Sequence, residues 1–295
     1  MTITASMVKE LREKTGAGMM DCKKALTEND GDFEKSVDWL REKGIAKAAK
    51  KQSRIAAEGL TKVVVEGNKA VIIEINSETD FVAKNEQFLE LLDTVANALV
   101  NSDATSLEEA NQVVVNGATI DEIITTATAT IGEKISFRRF EIVSKNDSQV
   151  FGSYMHFGGK ISVITVLDNG NDEIAKDMAM QIASMNPSYV SRSDVDASFI
   201  EHERSVQEGI AANDESLKSK PENVLKGIIE GRISKTLQEI CLVDQIYFKD
   251  PSMKVSKYLA DNKTNVLSFV RYAVGEGIEK REENFAEEVA AQLSK

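Results

Sequence analysis

Few residues in this sequence are equipped for chemistry. Two histidines, His156 and His202, and two cysteines, Cys22 and Cys241, are scattered along 295 residues. Cysteines that far apart make neither a disulfide framework nor a four-ligand zinc site. His156 could pair with Cys22 or a serine, but no nucleophile motif surrounds any candidate. His202-Glu203 lacks a second histidine at metal-binding spacing and reads as a solvated helix face. Gly158-Gly159-Lys160 is the nearest thing to a phosphate loop. A P-loop needs a glycine five residues before the Gly-Lys pair and a Ser or Thr after it; here Tyr154 and Ile161 stand there. The glycine pair therefore reads as a hairpin turn. The expectation is a protein with no catalytic residues, no metal and no cofactor.

Two segments instead place apolar side chains in polar surroundings. Met19-Met20 follow the Gly16-Ala17-Gly18 turn. Methionine is adaptable and common on binding surfaces; the other reading is that one of the pair fills a local core. Phe81-Val82 lie within Ser77–Lys84, between a strand and a helix. An aromatic there is either a protruding wedge or a core anchor, and the pattern does not choose.

The elements that position these residues follow from periodicity. Residues 1–44 read as three short helices. Ser6 is a candidate cap of the first, with Met7, Val8 and Leu11 on one face. Met19 to Leu26 forms the second, and Asp30-Gly31-Asp32 breaks it. Asp32 caps a third, which Gly44 closes. Residues 45–58, with Lys47, Lys50, Lys51 and Arg54, read as a solvated helical linker. A hairpin follows: Val63–Val65 and Val71–Ile73 flank the Glu66–Lys69 turn. The loop Asn76–Lys84 leads to a helix capped by Asn85, with Phe88, Leu89, Leu92, Val95, Ala96 and Leu99 at helical spacing. A helix around Ile120–Thr130 and a strand over Ile135–Val143 complete this half.

The second half repeats the plan, with a hairpin over Tyr154–Leu167, a helix over Asp172–Met185 and a strand from Leu267 to Val274. The strands Ile135–Ile142 and Leu267–Val274 share Ser-Phe-x-Arg-aromatic-x-β-branched at an offset of 132 residues. This reads as an internal duplication. An insertion in the second copy explains the smaller offset of the hairpins. It begins at Asp194 or Asp196 and carries Phe199, Val206, Ile210 and Leu217. After Pro221 come Val224, Leu225, Ile228, Ile229 and Ile233. Two narrow stripes joined by a polar loop make an antiparallel helical hairpin. They suit self-association through this arm, and equally an arm folded on its own core. Residues from Glu276 on, with Ile278, Phe285, Val289 and Leu293, read as an amphipathic helix.

Composition narrows the function classes. The chain is 42% hydrophobic, enough for a core, and its net charge of −12 repels phosphate backbones. Direct nucleic-acid binding is therefore not expected. No segment approaches the roughly 18 apolar residues of a membrane span, and the N-terminal residues lack the apolar run of a signal peptide. The expected setting is the cytoplasm.

The stretch Thr15-Gly16-Ala17-Gly18-Met19-Met20-Asp21-Cys22-Lys23-Lys24-Ala25-Leu26 closely resembles the N-terminal signature of the bacterial elongation factor Ts family. Thr79-Asp80-Phe81-Val82-Ala83-Lys84-Asn85 resembles that family's second signature, and Asp261–Thr264 and Val274–Gly277 look like its C-terminal half. The resemblance covers essentially the whole chain. It implies an α+β fold in four parts: a ubiquitin-associated-like helical bundle with its linker over 1–55, a core subdomain over 56–145, a second over 146–275 with the helical hairpin inserted at about 190–235, and a helical module over 276–295. It implies a partner, elongation factor Tu, whose GDP the family helps to release so that GTP can enter, with no bond chemistry. By analogy, Thr79, Asp80, Phe81 and Val82 press beside the magnesium site of the partner, with Phe81 as the wedge. Arg12, Met19 and Met20 grip the GTPase domain elsewhere, and His156, in a Gly-Ser-Tyr-x-His segment, contacts the partner's far side. The three-helix bundle alone would also suit a ubiquitin-like or peptide-binding adaptor. That reading leaves the duplicated core and the Thr79–Val82 loop unexplained. A hydrolytic enzyme is a distant third.

Overall fold

The computed structural model describes residues 3–218 and 220–279. The described residues mix helices and strands as an α+β fold and divide into two compact units. One holds residues through 143 with 157–161 and 272–279; the other holds 144–156 and 162–271.

Three helices open the first unit: α1 (Ala5–Thr15), α2 (Met19–Glu28) and α3 (Phe33–Ala49). The first cap is Thr4 rather than Ser6. Thr4 has extended backbone, and its hydroxyl accepts from the Met7 N–H at 3.3 Å, which starts the helix early and leaves Ser6 inside its first turn. Gly16, at φ 67°, ends α1 in the left-handed conformation that glycine adopts without a Cβ penalty. Asp32 caps α3 by accepting from the Lys35 N–H at 3.0 Å. Val8, Leu11, Cys22, Ala25 and Leu26 are buried between the helices, with Phe33, Val37, Trp39 and Leu40 against them.

Gly44 does not close α3. It lies inside the helix, where an added Cβ would come within 3.2 Å of the Ala129 side chain. The glycine there serves close approach of two helices, not termination. Most of residues 45–58 are exposed, as a solvated linker requires, but the stretch is helical only in part and is tied to its neighbours. The helix ends at Ala49, Lys47 pairs with Asp21 at 2.7 Å, Arg54 pairs with Glu78 at 3.1 Å, and Ala48, Ala56 and Ala57 are buried.

Next come β1 (Glu58–Glu66) and β2 (Lys69–Ser77), an antiparallel pair whose register closes at Glu66 opposite Lys69. A single-turn helix, α4 (Asp80–Ala83), precedes α5 (Glu86–Val100). The stretch expected as the loop Asn76–Lys84 thus begins as strand and contains a helical turn. The mixed residues 101–119 hold α6 (Leu107–Gln112), β3 (Val114–Val115) and β4 (Ala118–Thr119), followed by α7 (Ile120–Ile131) and β5 (Ser136–Ser144). The sheet order is β1-β2-β5. Asn85 caps α5, whose Phe88, Leu92, Val95, Ala96 and Leu99 are buried against Val71, Ile73 and Ile75 of β2. Leu89 falls off that face and is exposed.

The second unit has β6 (Gln149–His156), β7 (Ile161–Asp168), α8 (Asp172–Met185), α9 (Ala197–Asn213), α10 (Glu222–Ile240), β8 (Ile246–Tyr247), β9 (Asp250–Lys254), α11 (Val255–Asp261) and β10 (Asn265–Ala273). Its sheet order is β10-β7-β6. Asn171 caps α8 through the Ile174 N–H at 2.9 Å. Between α9 and α10 the buried seam is Ala211, Leu217, Ile229, Ile233 and Leu237, with Phe199, Leu225 and Ile228 partly covered. Val206, Ile210 and Val224, expected in that seam, are exposed. The contact is rotated onto Ala211, whose short side chain suits a close helix approach. The amphipathic segment expected after Glu276 lies outside the described residues beyond 279.

Candidate partner-binding site

The exposed aromatic sits on a braced turn. As the chain leaves β2, the Ser77 hydroxyl donates to the Thr79 carbonyl at 2.9 Å. The Glu78 carboxylate accepts from the Lys134 N–H at 2.6 Å and from Arg54 Nη1 at 3.1 Å. One residue on, Thr79 donates twice to Glu133: its N–H to Oε2 at 3.0 Å and its hydroxyl to Oε1 at 2.7 Å. The same hydroxyl accepts from the Val82 N–H at 3.4 Å and caps α4. A one-turn helix has no cooperative stability of its own. These bonds, and the buried Ala83, hold it in place.

On this mount Phe81 is 80% exposed, so the core-anchor reading is overturned. Val82 packs inward against the first core. Asp80 pairs with Lys84 at 2.7 Å. The Lys84 hydrogen bond, with Lys160 adding a favourable charge, holds the Asp80 carboxyl below its ordinary value, so it is anionic near neutral pH.

The bundle carries the second group. Met19 and Met20 are 53% and 75% exposed, so neither fills the bundle core. The buried face of α2 begins only at Cys22, and the helix entry ahead of it stays uncovered. Arg12 is exposed on α1. Cys22 itself is buried, and burial pushes its thiol up, so it is no nucleophile. His156 ends β6 in the second unit, half-buried, with its Nδ1 3.1 Å from the Tyr154 hydroxyl. His202 is exposed on α9. Gly158 and Gly159, at φ 65° and 97°, make a turn rather than a phosphate cradle. Among the described residues no three His, Cys, Asp or Glu side chains are grouped to hold a metal ion.

Two features had no signal in the sequence reading. Glu133 meets Thr79 from 54 residues away, a distance no local pattern spans. Phe157 is 75% exposed in the left-handed region at φ 48°, where a bulky residue is uncommon.

An α+β scaffold with an exposed phenylalanine on a braced turn, and exposed methionines at the start of α2, presents apolar side chains outward. The family model described as Elongation factor TS matches residues 78–276, which include the braced turn. The chain is also 58% identical over 296 residues to the Elongation factor Ts of Acholeplasma laidlawii (strain PG-8A), covering 100% of both chains. The chain belongs to the elongation factor Ts family, and its role is in translation elongation. Among the described residues no helix is long and apolar enough to cross a membrane.

Proposed function

We propose that this chain binds elongation factor Tu in its GDP form and promotes GDP release, so that GTP can enter. In this reading Phe81 is the wedge, Asp80 acts beside the magnesium and phosphate site, and Thr79 and Val82 hold the tip. Arg12, Met19 and Met20 of the bundle over 1–55 grip the GTPase domain, and His156 makes a further contact. The core subdomains over 56–145 and 146–275 act as the frame. The observation that carries the reading is the exposure of Phe81 on a turn fixed by Glu78 and Thr79, within a family signature.

The thermodynamics are simple. A partner that prefers the distorted nucleotide site must weaken nucleotide binding, and by reciprocity nucleotide weakens binding of the exchange factor. About 4 kcal/mol of such coupling is about a thousandfold in affinity. An acidic factor does this by deforming the phosphate site, without touching phosphates through Lys or Arg. The test is the release of labelled GDP from elongation factor Tu in the presence of substoichiometric protein. Release should accelerate steeply with added protein; an unchanged rate over a wide concentration range refutes the proposal.

A further inference from the structure

We infer that Glu133 is a positioning residue for the Thr79–Val82 turn, acting through Thr79 without touching the partner. The inference rests on the exchange reading above and deepens it. The two segments exchange bonds reciprocally. Glu133 accepts from the Thr79 N–H and hydroxyl at 3.0 and 2.7 Å, while Glu78 accepts from the Lys134 N–H at 2.6 Å. Neighbouring residues on each side thus clasp neighbouring residues on the other.

The clasp has a fixed base. Glu133 follows Gly132, which ends α7 at φ 91°, and Lys134 stands two residues before the start of β5 at Ser136. The Lys134 ammonium donates to the carbonyls of Gln52 and Arg54 at 2.7 and 3.0 Å, and Arg54 returns to Glu78 at 3.1 Å. Three chain segments, 52–54, 78–79 and 133–134, are therefore tied at the root of the turn that carries Phe81. The carboxylate suits this post because it accepts both Thr79 donors at once, and bonds to an ionised acceptor are the stronger kind. A wedge transmits force only if its mount does not yield. Loss of the clasp should leave the aromatic present but loosely aimed.

The test compares Glu133→Ala and Glu133→Gln with the unaltered chain, using three readouts. Hydrogen exchange reports the mount: protection of the Val82 and Thr79 amides should fall about tenfold in Glu133→Ala, the loss expected for a bond to a charged acceptor. GDP release at saturating protein should fall by about the same factor, while the concentration for half-maximal release stays within about twofold, because the docking contacts are untouched. Glu133→Gln keeps one acceptor oxygen but neither the second nor the charge, and should recover only part of both losses. Thermal unfolding should move little in either variant, since Glu133 is only half-buried. Unchanged amide protection in Glu133→Ala overturns the inference, as does a loss carried wholly by the half-maximal concentration. If the unaltered chain fails to accelerate GDP release, the exchange reading falls, and the amide protection still decides the clasp.

Discussion

In both sheets a hairpin leads to a helix, and a third strand arrives later beside the hairpin's second strand: β1-β2-β5 in one, β6-β7-β10 in the other. What differs is the passage from hairpin to helix. In the second unit β7 reaches α8 through residues 169–171 alone. Asn169 turns at φ 54°, Gly170 fits against Leu167 and Thr264, and Asn171 caps the helix. In the first unit β2 reaches α5 through residues 78–85, which include α4 and the exposed Phe81. Both helices start from an asparagine cap, so the extra residues are not needed to begin one. Fixing each costs on the order of 1–2 kcal/mol of backbone entropy, and this chain holds them with a dedicated clasp. A segment that one copy of a repeated plan does without is where a second purpose is to be sought.

The largest expected effect breaks the frame under the longer passage. Glu74 in β2 is fully buried and accepts from Arg139 Nε at 2.6 Å, Gly275 N at 2.8 Å, Arg138 Nη1 at 3.0 Å and Asn76 Nδ2 at 3.0 Å. Glu74→Ala removes one side of a buried ion cluster and should cost about 3–5 kcal/mol in urea unfolding. Burial alone would raise the Glu74 carboxyl, but the bonds from Gly275, Asn76 and Arg139 outweigh it and hold it below the ordinary 4.5. A depressed carboxyl stabilises the fold above its unfolded value and loses that contribution as pH falls through its folded value. The stability gap between the unaltered chain and Glu74→Gln should therefore narrow below pH 4.5. A gap that widens with acidity contradicts this assignment.

A smaller effect belongs to the other sheet. At Gly152 an added Cβ would stand 2.0 Å from the Ala175 carbonyl oxygen and 2.4 Å from Thr165 Oγ1. Gly152→Ala should destabilise by about 1–3 kcal/mol through overpacking. The check is urea unfolding of Gly152→Ala, and an unchanged stability contradicts the tight fit at this position. The smallest effect concerns Lys84. Lys84→Ala should leave the melting temperature where it was. The Asp80 titration followed by NMR should move up toward its ordinary value, because Lys84 is the first cause of its depression.

Local chemistry was legible in the sequence; long-range contacts were not. Asp32 and Asn85 announce their helices because a cap bonds within three residues. The turn at Gly67-Asn68 is equally local. Gly44 misleads because a glycine near a helix end resembles a stop, and the Ala129 that requires it comes from another helix. Ser6 lost to Thr4 because both can cap, and the choice depends on backbone conformation that composition does not carry. The signature drew attention to Thr79, Asp80, Phe81 and Val82, yet the pattern left Phe81 between core and surface. The exposure of Phe81 and the clasp from Glu133 are properties of the folded neighbourhood.

What the Phe81 ring does is decided by Phe81→Ala measured for stability and GDP release together. An exposed ring should cost little on removal, within roughly 0.5 kcal/mol of unfolding free energy. Release from elongation factor Tu should meanwhile fall by a factor equivalent to about 2 kcal/mol or more, as for a buried aromatic anchor at an interface. An intact fold with undiminished GDP release would contradict the account.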